Sequence, residues 1–218
     1  MTIARANDAA SLVIYRQRGN AKEVLMGRRQ KQARFAPGVY VFPGGRLDAA
    51  DCEIDSPIPF KMAGLSKQAS LKIQTLALTA VRETFEETGL VLGQKGKLAK
   101  VAHPSWEKCR LFEMVPALQH VNYLGRAITP SASATRFHAR FFVAPFEHFS
   151  GSLIDKGELL DLRWVKLASA YELPMFDVTE FMLDEVQRFF EGPRQTTPLM
   201  SYRGKHTLIR YENRNAIK

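Results

Sequence analysis

One segment constrains this chain more than any other: Leu76 to Thr88 reads as a helix, stopped by Gly89 where a left-handed residue ends a helix. A helix turns about 100° per residue, so spacing assigns faces. Taking Glu83 as reference, Glu86 and Glu87 fall within roughly 60° of it on either side, with Thr79 alongside. Leu78, Val81 and Phe85 point the opposite way. Like charges at these spacings cost a helix about 0.2–0.5 kcal/mol per pair, and acidic residues at a C-terminal end oppose the helix dipole. A solvated acidic face would tolerate both costs. A divalent cation would reverse their sign, because oxygen-rich acidic sites suit Mg²⁺ or Mn²⁺.

The segment upstream narrows the choice. Val39-Tyr40-Val41-Phe42 is a β-branched and aromatic run that reads as a strand entering a tight loop at Pro43-Gly44-Gly45. Glycine has no Cβ, so its backbone carbonyls can approach a metal closely. A glycine loop followed by a helix of carboxylates suits hydrolysis of a phosphoanhydride. There a metal activates water and neutralises phosphate charge while the protein positions the reactants.

The remaining elements fall around these two. Ser11 to Arg16 and Glu23 to Arg28 read as an opening hairpin turning at Gly19-Asn20. Leu47 to about Ser70 reads as an insertion, with a short helix around Lys67 to Ile73. Val101 to Leu124 is ambiguous, with helical character around Trp106 to Met114. Arg136 to Phe146 and Asp161 to Leu167 read as strands, and Thr207 to Tyr211 as a last one. Asp177 to Glu191 reads as a second helix, with Asp177 as its cap, Glu180 three residues on, and Gly192-Pro193 as its stop. Strands and helices interleave without a regular βαβ rhythm, so the expected fold is α+β, a mixed sheet with helices on both faces. One domain spanning 1–218, with an insertion at about 52–75, is the better fit to 218 residues.

These residues resemble the Nudix hydrolases. That family's box runs glycine, five residues, glutamate, seven residues, then Arg-Glu-hydrophobic-x-Glu-Glu-x-Gly-hydrophobic. Here Gly45 is followed by five residues and Asp51, and Arg82 to Leu90 supplies the second half. The sequence departs in three ways: Asp51 stands for glutamate, Thr84 for an aliphatic residue, and thirty residues rather than seven separate Asp51 from Arg82. The extra length falls in a connection, where length is cheap. The resemblance implies an α-β-α sandwich and metal ligation by Glu83, Glu86, Glu87 and the Gly44 carbonyl. It also implies that Arg82 pairs with a helix carboxylate and that Glu83 or Glu87 serves as base. A further acidic residue from a later loop is expected, with Glu158 chosen over Asp155 and Glu147.

The stretch from Arg28 to Asp48, with Phe42-Pro43-Gly44-Gly45-Arg46-Leu47-Asp48, is similar to the coenzyme A diphosphatase branch, especially its long-insert members. The resemblance implies a coenzyme A or acyl-coenzyme A substrate cleaved at its diphosphate. Coenzyme A carries a further 3′-phosphate, so Arg28, Arg29, Arg34 and Arg46 are candidate anion clamps. ADP-ribose or another nucleotide is the alternative substrate, and a non-catalytic nucleotide- or RNA-binding module the alternative class. An isoprenoid diphosphate isomerase would need a positioned acid–base pair, for which neither Cys52 nor Cys109 lies in a suggestive motif. The net charge of +9 favours polyanionic partners in general, but no block of like charges singles out nucleic acid. The expected partner is therefore a small nucleotide, with a homodimer open. Two cysteines without paired spacing, no apolar leader and no run long enough to span a bilayer point to the cytoplasm and away from membranes.

Overall fold

The computed structural model describes residues 5–32, 37–56, 60, 66–154, 157–204 and 206–213. The chain opens with β1 (Asn7–Arg18), β2 (Ala21–Arg29), β3 (Tyr40–Val41) and β4 (Gly44–Arg46), then helix α1 (Lys67–Thr88). Next come β5 (Leu90–Lys95), α2 (Pro104–Leu111), β6 (Met114–Pro116), β7 (Asn122–Ile128) and β8 (Phe137–Pro145). After them follow β9 (Phe149–Gly151), β10 (Leu159–Lys166), α3 (Asp177–Glu191), β11 (Thr196–Arg203) and β12 (His206–Asn213). Nine strands share one sheet in the order β10-β2-β1-β8-β7-β11-β12, with β3 beside β2 and β4 beside β1. The β1–β8 and β7–β11 pairs are parallel and the rest of that sheet is antiparallel. β6, β5 and β9 form a separate small sheet.

Period-two alternation explains why helices cover both faces. Leu12, Ile14, Leu25, Phe142 and Ala144 join one buried cluster with Leu76, Ala77 and Ala80 of α1 and Trp106 of α2. Their neighbours Val13, Val24, Met26, Phe141 and Val143 join a second cluster with Met182, Leu183 and Val186 of α3. The central strands are apolar on both sides, and such strands need cover on both. The fold is thus mixed α+β with helices on the two faces of a mixed sheet, as the sequence predicts.

Several local expectations need correction. The short helix near Lys67 and the helix from Leu76 are one 22-residue helix, capped by the Ser66 hydroxyl accepting from the Ala69 N–H. The loop expected at Pro43-Gly44-Gly45 narrows to a bend at Pro43, since Gly44–Arg46 pairs antiparallel with Ala9–Ser11. Residue 177 does not cap α3: Phe176 holds that position, and no side-chain capping bond is made among the described residues. The Asp177 carboxylate is spent instead on the Val178 N–H and the Tyr202 hydroxyl. The ambiguous stretch after Val101 resolves into α2, β6 and the start of β7, and β5, β9 and β11 went unpredicted. The insertion is partly core, since Phe60 is buried and its ring meets Phe142 edge-on.

One edge of β1 is shared, and that sharing places the site. Tyr15–Arg18 pair with β2, while Ala9–Ser11 pair with β4. Between them the Leu12 N–H donates to the Pro43 carbonyl at 2.9 Å. This pins the two glycines against the C-terminal half of α1. Among the described residues no helix is long and apolar enough to cross a membrane.

Candidate active site

Gly44 and Gly45 meet the glutamate face of α1 directly. The Gly44 N–H donates to Glu87 Oε2 at 2.8 Å. A Cβ on Gly45 would fall 2.5 Å from the Glu83 carboxyl carbon, so no larger residue fits there without displacing it. Arg82, on the flank of this face, organises it. Its Nη1 donates to Glu83 Oε1 at 2.9 Å and to Glu86 Oε1 at 3.2 Å. Its Nη2 donates to the Arg46 carbonyl at 2.9 Å, which ties α1 to β4.

Arg82 is itself anchored by Asp51. The two side chains, 4% and 0% exposed, are joined by contacts of 2.8 and 3.0 Å. Asp51 also accepts from Thr79 Oγ1 at 2.8 Å, from Trp106 Nε1 at 2.9 Å and from the Asp48 N–H at 3.1 Å. A buried carboxylate with this many donors is fully solvated by protein. The residue that departs from the box pattern is thus the buttress of the site. Trp106 and His103 carry no motif that marks them in sequence, yet α2 brings both here. His103 Nε2 lies 3.9 Å from Glu86 Oε1.

Burial sets the electrostatics. Glu87 is 4% exposed, and burial pushes its pKa up to about 8. The Gly44 N–H and Arg29 oppose that rise, while Glu83 and Glu158 add to it. Burial likewise raises Glu83 to about 7, against the pull of Arg82. For Arg82, burial opposes the charge, but hydrogen bonding to Asp51 and the fields of Glu83, Asp51 and Glu86 outweigh it and hold the guanidinium charged. Two carboxylates that resist ionisation beside a fixed cation form a site whose charged state calls for a further cation. The donors are all oxygen, which fits Mg²⁺ or Mn²⁺. Among the described residues, three such side chains do not yet converge into a ready-made cage. Arg82 holds Glu83 and Glu86, and Gly44 holds Glu87.

The other predicted residues separate into two groups. Glu158 is exposed at the foot of β10 and acts on Glu87 through its field. Glu147 instead lies 3.6 Å from His148, and Asp155 lies outside the described residues. Arg29 and Arg46 line a cleft of about 400 Å³ that also takes in Gly44 and Gly45. Arg28 is not among the described residues that line it, because alternate residues of a strand point to opposite faces. Arg34 lies outside the described residues. The cleft continues along Phe42, Ile128, Phe137 and Phe141 to the first turn of α3 and Tyr202. A second cavity of about 400 Å³, at the far end of α3 near Tyr123 and Arg194, holds none of the predicted residues.

Comparisons with known proteins bear on the family and the fold. A family model described as NUDIX domain matches residues 5–184. The chain is 24% identical over 205 residues to an acyl-coenzyme A diphosphatase, NUDT19, of Xenopus laevis, covering 69% of this chain and 54% of that protein. It is 24% identical over 191 residues to putative nudix hydrolase 7 of Caenorhabditis elegans, covering 79% and 58% respectively. The chain therefore spans little more than half the length of these relatives. Among solved structures, a NUDIX hydrolase from Alicyclobacillus acidocaldarius superposes with a TM-score of 0.66 at 26% identity, over 84% of this chain and 91% of that one. The NUDIX domain of Shewanella oneidensis NrtR, complexed with ADP ribose, shares the fold at a TM-score of 0.53 and 14% identity, over 86% and 90%.

Proposed function

The chain belongs to the NUDIX domain family, and on that premise we propose that it is a metal-dependent diphosphatase acting on coenzyme A or a short acyl-coenzyme A. One observation carries the reading: Glu87 and Glu83 stand against Gly44 and Gly45, and the same two glycines line a cleft with Arg29 and Arg46. A diphosphate in the cleft and the carboxylates of α1 would meet across those glycines.

Glu83, Glu86, Glu87, the Gly44 carbonyl and Glu158 are the residues we assign to hold Mg²⁺ or Mn²⁺. When bound, such an ion activates water and neutralises phosphate charge. The protein's own part is positional. Asp51 fixes Arg82, and Arg82 fixes Glu83 and Glu86. Arg29 and Arg46 would hold the diphosphate. Glu83 and Glu87, raised towards neutral pH, are the two candidates to take a proton from the attacking water. The coenzyme A assignment is supported by the arginine-rich approach to Gly44 and by the name of the Xenopus relative. The two free cysteines suit a reducing, cytoplasmic setting.

Chromatographic product analysis tests the reading. The full chain with Mg²⁺ or Mn²⁺ is given coenzyme A, ADP-ribose, a dinucleotide polyphosphate and a capped RNA. Release of 3′,5′-ADP from coenzyme A above the other activities is expected. Robust turnover of another member with coenzyme A untouched would replace the substrate, and no turnover of any would remove the activity. Light scattering on the same sample reads whether it is a homodimer.

A further inference from the structure

We propose that Asp177 and Tyr202 form the base-reading end of the cleft and select adenine through its exocyclic amino group; this rests on the cleft being the nucleotide seat. The cleft has three chemically distinct stretches. Arg29 and Arg46 supply positive charge at the Gly44–Gly45 end. Phe42, Phe137 and Phe141 form an apolar middle that suits a flat ring. Asp177 and Tyr202 close the far end.

Hydrogen-bond bookkeeping defines what that far end can take. Asp177 Oδ1 accepts from the Val178 N–H at 2.8 Å, and Oδ2 accepts from the Tyr202 hydroxyl at 2.7 Å. Each carboxylate oxygen has two acceptor positions, so capacity remains on both. Tyr202 gives its proton to Asp177, which leaves the pair with acceptors alone. Its hydroxyl also braces the carboxylate, and the first turn of α3 favours a negative charge there. An acceptor-only wall welcomes an N–H and repels a carbonyl oxygen. Adenine presents its 6-amino group to such a wall, whereas hypoxanthine presents a 6-carbonyl in its place and carries its donor one atom away, at N1–H. A preference for AMP therefore reads contact at position 6 and not at N1.

Calorimetric titration of the full chain with AMP and IMP tests this, because the two differ at that edge. AMP should bind about tenfold more tightly, the scale of one well-made base contact. Asp177→Asn, which can donate to a carbonyl, should bring the ratio near one. Tyr202→Phe, which keeps the carboxylate and removes its brace, should reduce the ratio less. Asp177 is exposed and Tyr202 only half-buried, so both variants should melt like the parent. Equal affinities in the parent, an unchanged ratio in Asp177→Asn, or no binding of either nucleotide would overturn the proposal. Coenzyme A hydrolysis is followed in parallel. Its absence with the AMP preference intact would remove the reaction and leave the base reading standing.

Discussion

Asp51 and Arg82, 31 positions apart in sequence, meet through two contacts, Nε to Oδ1 at 2.8 Å and Nη2 to Oδ2 at 3.0 Å. Removing Asp51 takes away the buried anchor of Arg82 and leaves Thr79 and Trp106 without this acceptor, a loss on the scale of about 3–5 kcal/mol. Asp51→Ala should therefore lower the unfolding free energy in urea by that scale, leaving Arg82 held by Glu83, Glu86 and the Arg46 carbonyl. An unchanged midpoint would show that Arg82 finds other partners.

Gly45→Ala should separate activity from stability. The added methyl would meet the Glu83 carboxylate, which is 16% exposed and can swing away. Displacement of a positioned group by about 1 Å can cost 10²-fold in rate. A kcat reduced on that scale with a melting temperature close to the parent's is expected. A fully active variant would take Glu83 out of the mechanism.

Glu87 ties catalysis to pH. Its folded pKa of about 8 lies above the ordinary value of 4.5, so the folded state binds more protons between those values. Its contribution to stability is present at low pH and is lost as pH rises from about 5 to 8. Glu87→Gln mimics the protonated form. The variant should gain stability over the metal-free parent progressively across that window, while hydrolysis falls by orders of magnitude. Denaturation curves at several pH values check the first part, and a flat difference would contradict it.

The two thiols should differ in reactivity. Cys52 is exposed, whereas Cys109 is buried and burial raises its pKa to about 11. Partial burial and the carboxylates of Asp51, Asp48 and Glu53 raise the Cys52 thiol too. Iodoacetamide at about pH 9 should therefore label Cys52 in the folded chain, more slowly than a free thiol, and spare Cys109, as peptide mass spectrometry would read. Equal labelling would mean that α2 opens readily.

Phe60 tests whether the insertion matters to the fold. It is 3% exposed, and its ring centroid lies 5.8 Å from that of Phe142. Phe60→Ala should cost about 3–5 kcal/mol, as for other buried aromatics. A loss well below about 1 kcal/mol would make the insertion a spacer.

What the sequence made legible was local. The glutamate face of α1, its stop at Gly89 and the opening hairpin follow from periods of 3.6 and 2 and from glycine chemistry. The partners across long separations were not legible. Nothing near Trp106 announces that its indole N–H will reach Asp51, 55 positions away, or that His103 will stand beside Glu86. Gly44-Gly45 read as part of a loop because residue preference speaks for turns there, and only the pairing with Ala9–Ser11 makes them a strand. Asp177 looked like a cap because its type favours that place; Tyr202, on a strand 25 positions later, gives its carboxylate another use.

The parallel pairing of β1 with β8 has a consequence for how the molecule comes into being. Asn7 lies beside Phe137, and the register runs on to Tyr15 beside Pro145. The strand that anchors Gly44–Gly45 thus waits for a neighbour made some 130 residues later, a closure whose entropy must be met before the contact rewards it. During synthesis β1 would leave the ribosome long before β8, with one edge of unpaired N–H and C=O groups open. Its hairpin with β2 and the short β4 cover the opposite edge in the meantime. The glycine strand that seats the carboxylates also shelters a nascent chain from pairing with the wrong partner.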